Sequence, residues 1–182
     1  MDIYLVRHGE AAASWSEDPD PGLSAQGTQQ AAAVAESLAG RLAADTQLVS
    51  SPLRRARETA APLAARQGLT VYENAAFREV PAPVPLPQRQ AWLRRFMQQR
   101  WHEQPAALHD WRATALQHLL DLETPAVVFT HFLVINAVVG QVLGREETLC
   151  FWPDNGSITH LRRSGDALSL VERGAEMRTV VN

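Results

Sequence analysis

Leu5-Val6-Arg7-His8-Gly9-Glu10 is the stretch that decides the fold, because an apolar run stops in it at an arginine and a histidine. The residues from Ile3 to Val6 are predicted to form a buried strand, which Arg7 and His8 end. Ligands of an open α/β sheet bind at the ends of the strands, so a charged pair there is placed for chemistry. Gly9 then lets the backbone approach a ligand closely.

An arginine beside a histidine suits phosphoryl transfer. A neutral imidazole is a nucleophile that can attack phosphorus, and a guanidinium can contact two phosphate oxygens without losing its charge. Arg-His-Gly alone is a short string, however, and a histidine at a strand end is often a hydrogen-bonded structural residue. Whether His8 is catalytic or structural therefore has to be judged from the rest of the sequence.

Composition limits the classes of protein to consider. The chain has 182 residues, of which 46% are hydrophobic and 20% charged, and this suits one well-buried domain. Its formal net charge of -3 argues against a general nucleic-acid or membrane-surface binder. All 17 basic residues are arginines, which excludes a Schiff-base lysine and a P-loop lysine.

A cytoplasmic location is the expectation from the remaining composition. The single cysteine, Cys150, has no partner for a disulfide or a thiolate metal cluster. No apolar run approaches the roughly 20 residues that span a bilayer, and the sequence starts with a strand instead of a signal segment.

Strands and helices are predicted to alternate over most of the chain, which is typical of a mostly parallel sheet between two layers of helices. Ser24 is the expected N-cap of the first helix, and Pro52 is expected in the first turn of the second. The predicted strands are 2–6, 47–50, 69–72, 126–130, 157–162 and 167–173. The predicted helices outside the middle of the chain run from 24 to about 44, from 52 to about 67 and from 133 to 143. A polar loop is predicted over 11–22.

The middle of the chain breaks this alternation. Alternate prolines from Pro81 to Pro87 hold the backbone extended, and two amphipathic helices follow on either side of Pro105. We therefore expect a single domain over 1–182, three-layered α/β/α, with a small helical insertion at about 81–123.

Charged side chains follow three of the predicted strands: Arg7 with His8, then Arg54 or Arg55, then His131. Two guanidiniums and a second imidazole around a nucleophilic histidine would neutralise a phosphoryl group and its transition state. The set is chemically complete except for a proton donor.

The sequence resembles the histidine phosphatase superfamily, which includes cofactor-dependent phosphoglycerate mutase. The resemblance covers about residues 1 to 79 and 125 to 163. It rests on four motifs in order: Leu5 to Glu10, Leu23-Ser24-x-x-Gly27-x-x-Gln30-Ala31, Ser51-Pro52-Leu53-x-Arg55-Ala56-x-x-Thr59-Ala60, and Val128 to His131.

The resemblance implies roles for five residues. By position, His8 matches the phosphorylated nucleophile, and Arg7, Arg55 and His131 match the groups that hold the phosphate. We expect His131 to be protonated there, because its charge would help to neutralise the phosphate. Glu79 stands where the family's proton donor would fall. Many relatives continue with a glycine and then Trp-Glu-Gly, whereas this chain continues with a proline-rich segment, so its substrate class is left open.

We accordingly expect a metal-independent phosphatase with no cofactor, which releases inorganic phosphate from a small phosphorylated substrate. Phosphoglycerate-mutase-type transfer and a non-catalytic phospho-ligand binding module are the alternatives. A metallohydrolase would place a cation beside Arg7, and a serine hydrolase would need a Gly-x-Ser-x-Gly elbow that is absent from the sequence. We expect no nucleic-acid or membrane partner, and the oligomeric state is not predicted.

The insertion is expected to form a wall or lid of the phosphate pocket, since it follows Glu79 directly. Four arginines in the insertion or just before it are then available to a second anionic group on the substrate. These are Arg78, Arg89, Arg94 and Arg95.

Overall fold

A computed structural model describes residues 1–13 and 18–177. Six strands form one sheet: β1 Asp2–Arg7, β2 Gln47–Ser50, β3 Val71–Glu73, β4 Ala126–Thr130, β5 Ile158–Ser164 and β6 Ala167–Glu172. Their order across the sheet is β3-β2-β4-β1-β5-β6. The four strands from β3 to β1 are parallel, and β5 and β6 join as antiparallel neighbours.

Five α-helices accompany the sheet: α1 Ala25–Ala39, α2 Arg54–Gln67, α3 Arg89–Phe96, α4 Ala106–Leu120 and α5 Phe132–Val142. The predicted α/β fold with a mostly parallel sheet is confirmed. None of the helices in the described part of the chain is long and apolar enough to cross a membrane.

Both faces of the sheet are buried, because successive side chains of a strand point to opposite sides. Ile3 and Leu5 belong to one core with residues of α4 and α5. Tyr4 and Val6 belong to a second core with residues of α1 and α2. Helices on both faces leave the ends of the strands as the exposed edge at which a ligand can bind.

Some predicted boundaries differ from the structure. The first helix ends at Ala39 instead of about 44, and α2 begins at Arg54, after Pro52. Gly68 ends α2 with a φ of 66°, and the Leu69 N–H donates to the Ala64 carbonyl. This closure holds Leu69 outside the sheet, so β3 begins later than predicted.

The insertion has a small core of its own. Trp101 and Phe96 are buried there together with Val80 and Leu108, and the cluster packs against Leu133 of α5. Residues 14–17 of the predicted loop, and residues 178–182 at the end of the predicted domain, lie outside the described residues.

Candidate active site

His8 follows β1, and two hydrogen bonds of its ring hold the side chain in place. Its Nδ1 lies 2.7 Å from the carbonyl oxygen of Gly9, and a carbonyl only accepts, so Nδ1 carries the hydrogen. Nε2 is therefore the unprotonated nitrogen, and it accepts a hydrogen bond of 3.1 Å from Nε of Arg55. The ring is fixed as the tautomer whose Nε2 lone pair is available for attack.

Burial and two neighbouring cations keep His8 neutral. Desolvation lowers its pKa well below the ordinary 6.5, and the charges of Arg55 and Arg7 lower it further. The hydrogen bond to Gly9 opposes these effects without outweighing them. A neutral imidazole is the form that attacks phosphorus.

Backbone contact fixes the loop that carries His8. A Cβ placed on Gly9 would lie 2.5 Å from the carbonyl oxygen of Gly27 in α1, and one placed on Gly27 would lie 2.1 Å from that of Glu10. The N–H of Gly9 donates to Oγ1 of Thr59, and the N–H of Glu10 donates to Oε1 of Gln30. The motif residues outside the cavity thus support the loop.

The two arginines present donors that lack protein acceptors. Arg7 donates from Nη1 to the carbonyl of Pro153 at 2.8 Å, and its guanidinium lies 5.1 Å from the ring centre of Phe132. Nε of Arg7 and Nη1 of Arg55 are buried and have no hydrogen-bond partner within residues 1–13 and 18–177. Because buried donors are normally paired, these two point to an anionic ligand.

Glu79 lies near both arginines, next to the start of α5. Its carboxylate accepts hydrogen bonds from the N–H of Val80 at 2.9 Å and of Leu133 at 3.4 Å. Burial raises the pKa of Glu79 above its ordinary value, although these bonds and the charges of Arg55 and Arg7 act in the opposite direction. A carboxyl group with a raised pKa is suited to donate a proton.

His131 ends β4 beside His8, with ring centres 5.2 Å apart. Its Nε2 is hydrogen-bonded to Oγ of Ser51 at 2.8 Å. Burial, followed by the charge of Arg55, lowers the pKa of His131 well below 6.5. These effects favour a neutral His131 in the free protein over the expected protonated form, because protonation would bury a third positive charge beside two guanidiniums.

One cavity of about 280 Å³ contains the reacting groups. Arg7, His8, Arg55 and Glu79 line it together, while His131 is fully buried beside His8 and does not line it. The sequence indicated which residues end these strands, and the structure brings them together. Their catalytic roles remain predictions.

The remaining lining was only partly foreseen from the sequence. Leu93 and Met97 of the insertion form part of the wall, as expected for a segment that follows Glu79. Trp152 and Met177 also line the cavity, although no motif marks them. None of the four arginines that were expected to serve a second anionic group lines it: Arg78, Arg89, Arg94 and Arg95.

A family model and several known proteins match this chain. The model of the histidine phosphatase superfamily (branch 1) matches residues 3–175. The uncharacterized protein Rv0525 of Mycobacterium tuberculosis is 47% identical over 73 residues, which are 38% of this chain and 35% of that protein. The matched part thus spans about a third of the length of this relative.

Solved structures match over nearly the whole chain. The mycobacterial glucosyl-3-phosphoglycerate phosphatase Rv2419c, in complex with inorganic phosphate, is 25% identical with a TM-score of 0.71, over 96% of this chain and 97% of that one. The protein TTHB049 from Thermus thermophilus is 27% identical with a TM-score of 0.63, over 96% and 99%. A phosphoserine phosphatase mutant from Entamoeba histolytica, in complex with phosphoserine, shares the fold at 22% identity, with a TM-score of 0.76 over 96% of each chain.

Proposed function

This chain belongs to the histidine phosphatase superfamily, branch 1, and on that premise we propose that it hydrolyses a small phosphomonoester through a phosphohistidine on His8. One observation carries the proposal. The neutral His8 directs the lone pair of Nε2 toward Arg55, in a cavity that Arg7 and Glu79 also line. A nucleophile, two phosphate-binding cations and a carboxyl group are the groups that this reaction requires.

In the first step, Nε2 of His8 attacks phosphorus as the bond between phosphorus and the ester oxygen breaks. Arg55 moves its hydrogen bond from Nε2 to the phosphoryl oxygens, and Arg7 contacts them through its unpaired Nε. Glu79 gives its proton to the departing oxygen, so an alcohol leaves.

In the second step, water attacks the phosphorus of the phosphohistidine. Glu79, now a carboxylate, takes a proton from this water, and the bond from phosphorus to Nε2 breaks. Inorganic phosphate leaves, and both His8 and Glu79 return to their starting protonation states.

The reaction needs no divalent cation, because Arg7 and Arg55 supply the positive charge that the transferring phosphoryl group requires. Turnover should therefore be insensitive to a metal chelator, and vanadate should compete with the substrate. Activity that is lost with a chelator and restored by one metal would favour a metallohydrolase instead.

Rapid quenching with a labelled phosphomonoester tests the covalent step. Label should stay on the protein after an alkaline quench and be lost after an acid quench, and peptide mapping should locate it on His8. Turnover without any alkali-stable label would exclude the phosphohistidine, and label without net hydrolysis would favour transfer to a second acceptor.

A further inference from the structure

Part of the cavity wall, beside the phosphate-binding groups, is apolar. It is lined by Leu93 of α3, Met97 at the C-cap of α3, Phe132 of α5, and Trp152 and Met177 from the later part of the chain. Trp152 and Met177 are 45% and 41% exposed. Large apolar side chains left in water at the rim of a pocket are a feature of ligand-binding surfaces.

Aromatic contacts extend this wall toward the reacting atoms. The ring centres of Phe132 and Trp152 lie 5.5 Å apart, and the guanidinium of Arg7 lies 5.1 Å from the ring centre of Phe132. A group attached to a phosphate held by Arg7 would consequently meet aromatic and aliphatic surface next to the ester oxygen.

Among the described residues, the cavity offers a substrate no cation beyond the two that bind the phosphate. Within residues 1–13 and 18–177, Arg7 and Arg55 are the only arginines that line it, and the phosphate needs both. Arg94 and Arg95 are exposed on α3. Glu79 also lines the cavity, and its carboxyl group would repel a second negative charge once it is ionised.

We propose that the leaving group of the substrate is uncharged and apolar, as in an aryl or short alkyl phosphate. This proposal rests on the proposed function. A carboxylate on the leaving group would lose its water against Leu93, Met97 and Phe132 and gain no partner, which is unfavourable. At about 280 Å³ the cavity lies just below the roughly 300–1,000 Å³ typical of sites for drug-sized ligands, so the leaving group is expected to be small.

A pair of esters that differ by one charge tests the proposal. Phenyl phosphate and 4-carboxyphenyl phosphate have the same ring, and the carboxylate makes its phenolate the better leaving group. Chemistry alone therefore favours the carboxylated ester. We expect kcat/KM to be at least about tenfold higher for phenyl phosphate, since an unpaired charge has to be desolvated.

Two variants at one position show whether the wall is responsible. Met97→Arg places a cation in the wall and should reduce the preference for phenyl phosphate by about tenfold or more. Met97→Gln, which is polar and uncharged, should reduce it less. Arg94, three residues before Met97, is exposed and lies outside the cavity, so Arg94→Gln should leave the preference unchanged.

Equal or better turnover of the carboxylated ester would overturn the proposal and leave the proposed function intact. It would indicate that the leaving group binds in a neighbouring cavity of about 410 Å³, which Arg78 and Arg89 line. Glu79 lines both cavities. Turnover of neither ester would contradict the proposed function. Calorimetric affinities for the two esters would still decide the proposal, and equal affinities would refute it.

Discussion

Nε of Arg55 donates its hydrogen bond of 3.1 Å to Nε2 of His8, the nitrogen that attacks phosphorus in the proposed mechanism. This contact keeps a proton off Nε2, because the nitrogen can only accept from a guanidinium. It also holds the cation at the place where the phosphoryl oxygens will arrive. In the proposed reaction, substrate binding breaks this hydrogen bond. The bond therefore protects Nε2 in the free protein and frees it when the phosphoryl group arrives.

Replacing His8 by alanine should remove turnover and keep phosphate binding. We expect kcat to fall by at least about 10³-fold, because no other group can form the covalent intermediate. Arg7 and Arg55 remain, so titration calorimetry should still detect inorganic phosphate. His102→Ala, at an exposed position, is the control that should retain activity. An active His8→Ala protein would exclude the proposed mechanism. It would indicate a site whose function depends on Arg7 and Arg55 and not on His8.

Two adjacent arginines, Arg55 and Arg54, provide a test variant and its matched control. Arg55 is buried beside His8, whereas Arg54 is exposed and forms an ion pair with Glu58. Arg55→Gln should lower kcat/KM for 4-nitrophenyl phosphate by about 10²-fold or more. Arg54→Gln should leave it within about twofold, because exposed ion pairs contribute little. Equal losses in the two variants would refute the assignment of Arg55.

The role of Glu79 depends on the leaving group. Glu79→Gln should slow hydrolysis of phenyl phosphate by about 10²–10⁴-fold, since phenolate needs a proton as it departs. With 2,4-dinitrophenyl phosphate the departing phenolate is stable, so stopped-flow absorbance should show a rapid stoichiometric burst. Slow steady turnover should follow, because Glu79 no longer activates water. If both esters lack a burst, Glu79 is not the proton donor.

Stability should fall in mild acid. The pKa values of His8 and His131 are lowered in the folded protein, so the unfolded chain binds protons below about pH 6.5 that the folded protein excludes. The free energy of unfolding should then decrease, as pH falls below 6.5, by up to about 1.4 kcal/mol per pH unit for each histidine. Above pH 6.5 this contribution to stability is fully present.

Urea unfolding between about pH 7.5 and pH 5 measures this dependence. His8→Asn should reduce the slope by about one proton, or about 1.4 kcal/mol per pH unit. His102→Asn is the control, since water contacts this side chain in both states. An unchanged slope in His8→Asn would show that His8 is not neutral in the folded protein.

The sequence could predict which side chains lie together at this edge of the sheet, because they follow predicted strands. Arg7, His8 and His131 end apolar runs, and parallel strands bring their ends to one edge of the sheet. The hydrophobic periodicity of the sequence was enough to predict these strand ends. The resemblance to the histidine phosphatase superfamily selected Arg55 over Arg54. The exposure of Arg54 agrees with that choice.

The wall of the cavity could not be predicted in the same way. Trp152 and Met177 lie in irregular segments, whose path depends on tertiary contacts and leaves no period in the sequence. For α3, the pattern predicts an amphipathic helix but not which residues of its apolar face meet the cavity. Arginines were therefore expected where Leu93 and Met97 are found.

β1 lies between β4 and β5 in the sheet, although it precedes both along the chain by many residues. A ribosome therefore completes β1 and His8 long before it makes either strand that β1 pairs with. Until then an apolar strand has no partner, and closing such long-range pairings is slow. His8 is thus synthesised well before the strands that give it its final surroundings. A nascent chain that stops short of β5 leaves the central strand of the sheet with an unpaired edge exposed to aggregation.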